Sequence, residues 1–504
     1  MGTKVYDNYA DLITFNRNSK GTALRPIGYG DELVTNGTFD TDVSGWTAEA
    51  DSDVSYDDGK IRLTVANSSN RGAYQAITTE AGKTYVVDAL LVEAAGNATV
   101  RVGTTAGGGD IYTNQIPEGE IQIIFTATSS TSYLTLRPNS TTNGVTVAFD
   151  NVSVKEVLFD REGDPLTLFL HPEGVPRIEY DADRNLKGLL IEPQATNLLK
   201  YSSAMATSPW QLRGFSSLST TETAPDGTST AVKVEEDNTD SNPAVYYNAD
   251  TGDGSQQAFS VWLKADSNIS LYLSTTGDAL GSLVSVTTEW QRFEVTQTIN
   301  GASGPHIGGF FTITQGSGVT FYMWGAQLET GPIATSYMPT TGSPFTRGKD
   351  EASMTNVSGL IGQKEGTLYV EVDWRLATGT YQFLLEASDG TANNRILIYD
   401  TNSSGLSMFA GANGAPLTNQ GVLSTSYSGI QKFAFAYADA DFELYRNGSS
   451  ATSYTTGSLA SLATLTDIDI GQDYNANFQA NMWIRAVQII PRRLSDEQLI
   501  ELTS

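Results

Sequence analysis

The feature that most constrains this 504-residue chain is a period of two. In "TLYVEVDWRL", Leu368, Val370, Val372 and Trp374 alternate with Tyr369, Glu371, Asp373 and Arg375. In "ISLYLST", Ile269, Leu271 and Leu273 alternate with Ser270, Tyr272 and Ser274. "KFAFAYADADFELYRNG" sets Phe433, Phe435 and Tyr437 on one face, then Phe442 and Leu444 after a polar turn. Side chains along a strand point alternately to opposite faces, so such runs make half-buried strands. Gly, Asn, Asp and Ser separate the short runs, which predicts an all-β chain of several β-sandwiches. One helix is predicted, at the C-terminus. Ser495 and Gln498 have capping-box spacing, and Leu494 and Leu499 occupy the two positions of a hydrophobic staple.

Composition narrows the function classes. With 39% hydrophobic residues the chain can bury real cores, and its length calls for more than one domain. It has no cysteine, which excludes disulfides, thiol chemistry and cysteine-ligated zinc. Its two histidines, His171 and His306, are too few for a histidine metal cluster, and no nucleophile motif accompanies either. The net charge of −27 would repel a phosphate backbone, so nucleic acid is not an expected partner. No apolar run has membrane-spanning length, so no membrane insertion is expected. "MGTKVYDNYADLITF" lacks the charged-then-apolar pattern of a secretory signal. The expectation is a protein made in the cytoplasm that reaches any outer role by assembly or lysis.

The chain also repeats itself. "LVTNGTFDTDVSGWTA" at 33 parallels "LLKYSSAMATSPWQLRG" at 198. "KTYVVDALLVEAAGNATVRVGTT" at 83 parallels "QAFSVWLKADSNISLYLSTTG" at 257, and "GVTVAFDNVSVKE" at 144 parallels "GVTFYMWGAQLET" at 318. Order and spacing agree, so two divergent copies of one sandwich are expected. A third sandwich with a different strand rhythm follows.

Within the first copy, "NGTFDTDVSGW" and "FDNVSV" resemble the opening and closing motifs of carbohydrate-binding-module jelly rolls. In that family the matching acidic positions, here Asp40 and Asp150, often hold a structural calcium, and calcium takes hard oxygen ligands. Gly325 is read as replacing the aspartate in the second copy, so calcium is expected in the first copy only. "SGLIGQKEGTLYVEV", "FAFAYADADFELYRNG" and "TDIDIGQDYNANFQANMWIRAVQIIPRRLSDEQLIEL" resemble concanavalin-A-like, laminin-G-type sandwiches. "ITFNRNSKGT", "PRIEYDADRNLKGLLIEPQATNLLKYS" and "WGAQLETGPIATSYMPTTGSPFTR" together resemble tailed-phage virion proteins of the tail-fibre and head-decoration type.

The domains implied are an N-terminal arm or anchor segment at 1–31 and an inserted jelly roll at 32–156. An anchor or linker segment follows at 157–197, then a second jelly roll at 198–345 and a concanavalin-A/laminin-G-like sandwich at 346–504. Residues 10–30 and 157–200 are expected to fold against each other as one small discontinuous unit. "GLLIE" would end it and "NLLKYS" would open the second jelly roll, a seam with no chemistry of its own.

For function, the resemblance implies a non-enzymatic virion protein anchored through its N-terminal region. Its sandwiches would bind cell-surface glycans for host attachment. The alternative is a capsid-decoration or baseplate part that binds no sugar, and behind that a polysaccharide-degrading enzyme using Glu371 and Asp373. Weak single sites favour a homo-oligomer, with a trimer expected. Sugars are held by aromatic rings against their C–H faces with polar groups reading the hydroxyls. Tyrosines in polar surroundings are therefore the candidate contacts: Tyr112, Tyr246, Tyr247, Tyr399 and Tyr474. Trp46, Trp210, Trp262 and Trp290 recur at regular strand positions and are read as packing.

Overall fold

A computed structural model describes residues 13–504 except 68–70, 96, 117, 206–207, 248–254, 276–280, 299–305, 309–312, 314, 376–380, 402–404, 419–420 and 424–428. Strands dominate, and the one α-helix among the described residues is Asp496–Thr503. It carries the Ser495–Gln498 capping box, and Leu494 and Leu499 are buried beside it. The chain divides into two compact units: Pro26–Leu166, and the flanking residues up to Arg25 together with Thr167–Ser504. The first unit is thus an excursion inserted into the second.

The inserted unit is a jelly roll of two layers, one a five-strand sheet and the other five strands of a seven-strand sheet that Gly21–Glu32 and Leu166–His171 complete. One layer runs Thr47–Ala48, Ala73–Thr78, Thr131–Pro138, Ala98–Gly103, Tyr112–Ile116. The other runs Ser52–Tyr56, Ile61–Val65, Thr146–Phe159, Thr84–Ala94, Gly119–Thr126. Within the larger unit, a second jelly roll repeats this order strand for strand. Its layers are Trp210–Arg213, Ala244–Tyr247, His306–Gly308, Ile269–Ser274, Ser282–Val286 and Phe215–Glu222, Ala231–Glu236, Thr320–Thr330, Gln256–Ala265, Gln291–Thr298. The opening tryptophans are equivalent: the Trp46 indole donates to the Asn36 carbonyl at 3.2 Å, and Trp210 donates to the Tyr201 carbonyl at 2.7 Å. Both are buried.

The repeat corrects one alignment. In each copy the closing strand bulges at a residue in the left-handed region, Asn151 (φ 51°) and Gly325 (φ 66°). Asp150 pairs with Leu90 and Trp324 with Trp262, so Asp150 corresponds to Trp324, and Gly325 to Asn151. Asparagine and glycine share the place because they reach positive φ at least cost.

The C-terminal sandwich packs Leu368, Val370, Val372 and Trp374 against Phe433, Phe435 and Tyr437 in one core. Both of its sheets begin with strands from the supposed anchor segments. Thr14–Asn16 pairs with Glu351–Met354 at the edge of one sheet. Ile178–Tyr180 and Leu186–Ile191 extend the other, with Leu189 opposite Ile484. The two segments do touch each other, since the Gly174 amide donates to the Arg17 carbonyl. They also pair directly, since Gly21–Glu32 and Leu166–His171 are neighbouring strands of one sheet, while their other strands join the edges of this sandwich.

The seam between them carries charge. Arg17, Arg177, Arg347, Glu192 and Asp350 are all fully buried and mutually paired. Arg177 bridges both carboxylates, 2.9 Å from Glu192 and in a short contact with Asp350. Arg375 reaches Glu192 at 2.8 Å. Burial alone would raise the Glu192 carboxyl, but the guanidiniums of Arg347, Arg177 and Arg375 hold it well below the usual carboxylate range. "GLLIEP" is therefore not chemically silent: its glutamate ties three sequence segments into one ionic cluster. Next along, the Pro193 carbonyl accepts from Arg347 at 2.7 Å and Asn197 receives the Leu199 and Leu328 amides, opening the second jelly roll.

Candidate functional site

The outward face of one sheet of the C-terminal sandwich is aromatic. Phe383 on the strand Gln382–Ser388 and Tyr399 on Arg395–Asp400 are cross-strand partners with ring centroids 5.4 Å apart. Tyr381 stacks on Tyr399 at 6.2 Å, and Phe478 stacks on Phe383 at 5.6 Å with planes 13° apart. Phe478 also meets Tyr381 edge-on at 5.6 Å. Phe383 and Tyr399 are 5% exposed, whereas Tyr381 and Phe478 are 46% and 38% exposed. The result is a shelf: two buried rings support two that face solvent. Arg395 lies 5.9 Å over Phe383 and 5.4 Å over the half-buried Phe409, adding a guanidinium at the shelf's border.

A carboxyl pair underlies the loop that delivers Phe478. Glu386 and Asp469 face each other across neighbouring strands, and both are buried. Burial pushes Glu386 up to about 8, with Arg395 at 3.5 Å opposing the shift. Burial likewise pushes Asp469 up to about 7, against the Gln472 amide that donates to it. The loop is held from below: the Tyr474 amide donates to Glu386 at 3.2 Å, and the Asn477 and Phe478 amides donate to Asp473 at 2.6 and 3.0 Å.

Of the five tyrosines singled out from the sequence, the structure brings Tyr399 and the Tyr474 loop to this shelf. Tyr112 is half-buried against the core of the inserted jelly roll. Tyr246 is half-buried with its hydroxyl on Gln211 at 2.6 Å. Tyr247 is a core residue, 4% exposed and edge-on to Trp210 at 5.1 Å. The sequence reading missed Phe383, Tyr381 and Phe478. Its one available signal was Glu386, a lone charge ending the apolar run "FLLEA". The register shift between Phe383 and Leu385 hid which of those residues faces outward.

The other candidates resolve into local partners. Glu371 accepts from Arg485 at 2.8 Å and from the Tyr369 hydroxyl at 3.2 Å, while Asp373 is ion-paired with Lys187. His171 is fully buried, edge-on to Phe169, and burial with Arg25, Arg17 and Arg177 nearby holds it well below its ordinary value. The His306 side chain lies outside the described residues. Asp40 is exposed and its backbone carbonyl accepts from Tyr56 at 3.4 Å; Asp150 accepts the Asn151 amide at 2.6 Å and so supports the bulge itself. Among the described residues no three acidic or histidine side chains gather as a metal site. The donor set at Asp40 and Asp150 thus offers two carboxylates, one of them already engaged.

Trp262 and Trp290 do pack, but against a separate hydrophobic cluster and not in the sandwich core. Both are half-buried on the outer face of the second jelly roll, beside Trp324 and Tyr337. A cavity of about 430 Å³ opens at Trp262, and Trp483, Glu179, Arg292 and Arg375 also line it.

The sequence matches no protein-family model and no curated protein. Among solved structures it is similar to the CBM40 of a Ruminococcus gnavus IT-sialidase, at 17% identity over 29% of this chain and 86% of that one, TM-score 0.26. It is also similar to the CBM22-1–CBM22-2 tandem domain of Paenibacillus barcinonensis Xyn10C, at 15% identity over 60% of this chain and 98% of that one, TM-score 0.21. A third is the LG4-5 pair of the mouse laminin alpha1 chain, at 10% identity over 51% of this chain and 89% of that one, TM-score 0.19. At these values no ligand or activity is carried over. The all-β, multi-sandwich fold class stands on the strands themselves. No helix among the described residues is long and apolar enough to cross a membrane.

Proposed function

We propose that this chain is a non-enzymatic glycan-binding protein, and that the aromatic shelf of its C-terminal sandwich is the contact surface. The observation that carries the reading is the outward stack of Tyr381 and Phe478 on Phe383 and Tyr399. Large apolar rings exposed together, beside an arginine and backed by polar strand ends, suit the C–H face of a sugar. Against catalysis stands the engagement of Glu371 and Asp373 in local ion pairs. Glu386, whose carboxyl burial raises, is wholly enclosed and so does not meet a ligand.

The motifs that resemble tailed-phage virion proteins support display on a particle, where avidity among copies of a homo-oligomer compensates for one shallow site. Attachment to host-surface glycans is the role that follows. A glycan array on the purified chain, repeated with Tyr381→Ala/Phe478→Ala, tests the binding. The double variant is expected to lose about tenfold or more in affinity, since each ring contact contributes roughly 0.5–1.5 kcal/mol. Binding that survives both truncations unchanged would remove the shelf from the reading. Immunolabelling of intact particles tests the display.

A further inference from the structure

We infer that the cavity at Trp262 is a second binding site, built for a carboxylated sugar. It lies wholly within the larger unit, where the second jelly roll meets the strands Ile178–Tyr180 and Met482–Ile490. At about 430 Å³ it falls in the ordinary size range of small-ligand sites.

The argument is an accounting of its polar groups. Arg375 is engaged with Glu192, Asn481 and the Ala334 carbonyl. Lys187 is ion-paired with Asp373, and Glu179 accepts the Trp483 indole at 2.6 Å. Two donors are left over. The Arg292 guanidinium has a single partner, the Ser260 hydroxyl at 2.8 Å, and its Nε is buried with none. Glu329, Glu294 and Glu192 act on it through space, but none of them forms an ion pair with it among the described residues. The Trp262 indole N–H is likewise buried without a partner. Arg292 and Trp262 are cross-strand partners, and both line the cavity.

Buried donors without acceptors carry a desolvation penalty that an incoming acceptor relieves. A guanidinium beside an N–H is matched by a carboxylate, which offers two oxygens to the fork. Glu294, two residues along the same strand as Arg292, is exposed at the cavity's rim. It would repel a bare anion but accept from hydroxyls. The occupant that satisfies all three groups bears one carboxylate and several hydroxyls and has an apolar face for the indole: a uronic-acid-type sugar. This inference is independent of the shelf.

The test is titration of the full chain with galacturonate and glucuronate oligomers, followed by tryptophan fluorescence and calorimetry. Neutral gluco-oligosaccharides and acetate serve as controls. The acidic oligomers are expected to bind at least tenfold more tightly than either control and to weaken with salt. Arg292→Gln and Trp262→Phe, the latter keeping an aromatic ring, should each lower that affinity about tenfold or more. Tyr381→Ala/Phe478→Ala should leave it unchanged, which separates this site from the shelf. Equal affinity for neutral oligomers, equal affinity for acetate, absence of binding at millimolar concentration, or indifference to Trp262→Phe would each overturn it.

Discussion

Glu386 makes a quantitative prediction about pH. In an unfolded chain this carboxyl titrates near the ordinary glutamate value of 4.5, but in the folded sandwich burial raises it to about 8. Its cross-strand partner Asp469 is raised from 3.8 to about 7. At pH 3 both groups are protonated folded and unfolded, so neither affects stability. As pH climbs past 4 to 5 the unfolded chain loses these protons while the folded chain keeps them. The folded state then binds more protons, and stability falls as pH rises, by about 1.4 kcal/mol per pH unit for each retained proton. The fall continues until the folded groups ionise near 7 and 8. For Glu386 alone the loss is on the order of 3–5 kcal/mol between about pH 4.5 and pH 8.

The Glu386→Gln variant cannot ionise, nearly preserves the volume, and keeps an oxygen for the Tyr474 amide. Hydrogen exchange of the strands Gln382–Ser388 and Asp467–Ile470 reads the local opening free energy directly. After correction for intrinsic exchange, wild-type protection should drop by about four to five orders of magnitude between pH 5 and pH 8, roughly two or more from each carboxyl. In the variant roughly half of that slope should disappear, and protection at pH 8 should exceed wild type. The Phe478 shelf contact rests on the same loop, so glycan affinity should follow the same curve. A wild-type protection factor independent of pH would refute the reasoning, as would a variant whose decline runs parallel to wild type.

Arg177→Met removes the guanidinium that bridges Glu192 and Asp350 and should destabilise the larger unit by roughly 3–5 kcal/mol, because it leaves two buried carboxylates short of a cation; a denaturant midpoint unchanged from wild type would contradict this. Asp150→Ala should lower the melting temperature of the inserted jelly roll equally in millimolar calcium and in EDTA, since its carboxylate already serves the bulge amide. A calcium-dependent rise in wild type that the variant lacks would instead make Asp40 and Asp150 calcium ligands.

Legibility differed between fold and site for a physical reason. The strand "TLYVEVDW" shows its faces because one side meets a core and the other does not, and its alternation survives intact. The duplication was visible because each copy must bury the same tryptophan and close with the same bulge. The shelf was hidden because Phe383, Leu384 and Leu385 are consecutive apolar residues across a bulge, where a period of two breaks down. Tyr247 looked like a surface residue beside Tyr246 and Asn248, yet the register of its strand with Trp210 turns it inward.

The sequence by itself determined what depends on neighbours along the chain: strand periodicity, the capped C-terminal helix, the repeated jelly roll, and the exclusion of thiol chemistry. Only the tertiary structure decided what depends on residues far apart in number. Arg17, Arg177, Glu192, Arg347 and Asp350 are unremarkable singly, and each would be solvated on an isolated strand. They become one buried cluster because the segments flanking the inserted jelly roll end as edge strands on a sandwich hundreds of residues away. The unfilled donors of Arg292 and Trp262 exist for the same reason, since whether a polar group has a partner is a property of the folded surroundings and not of the residue.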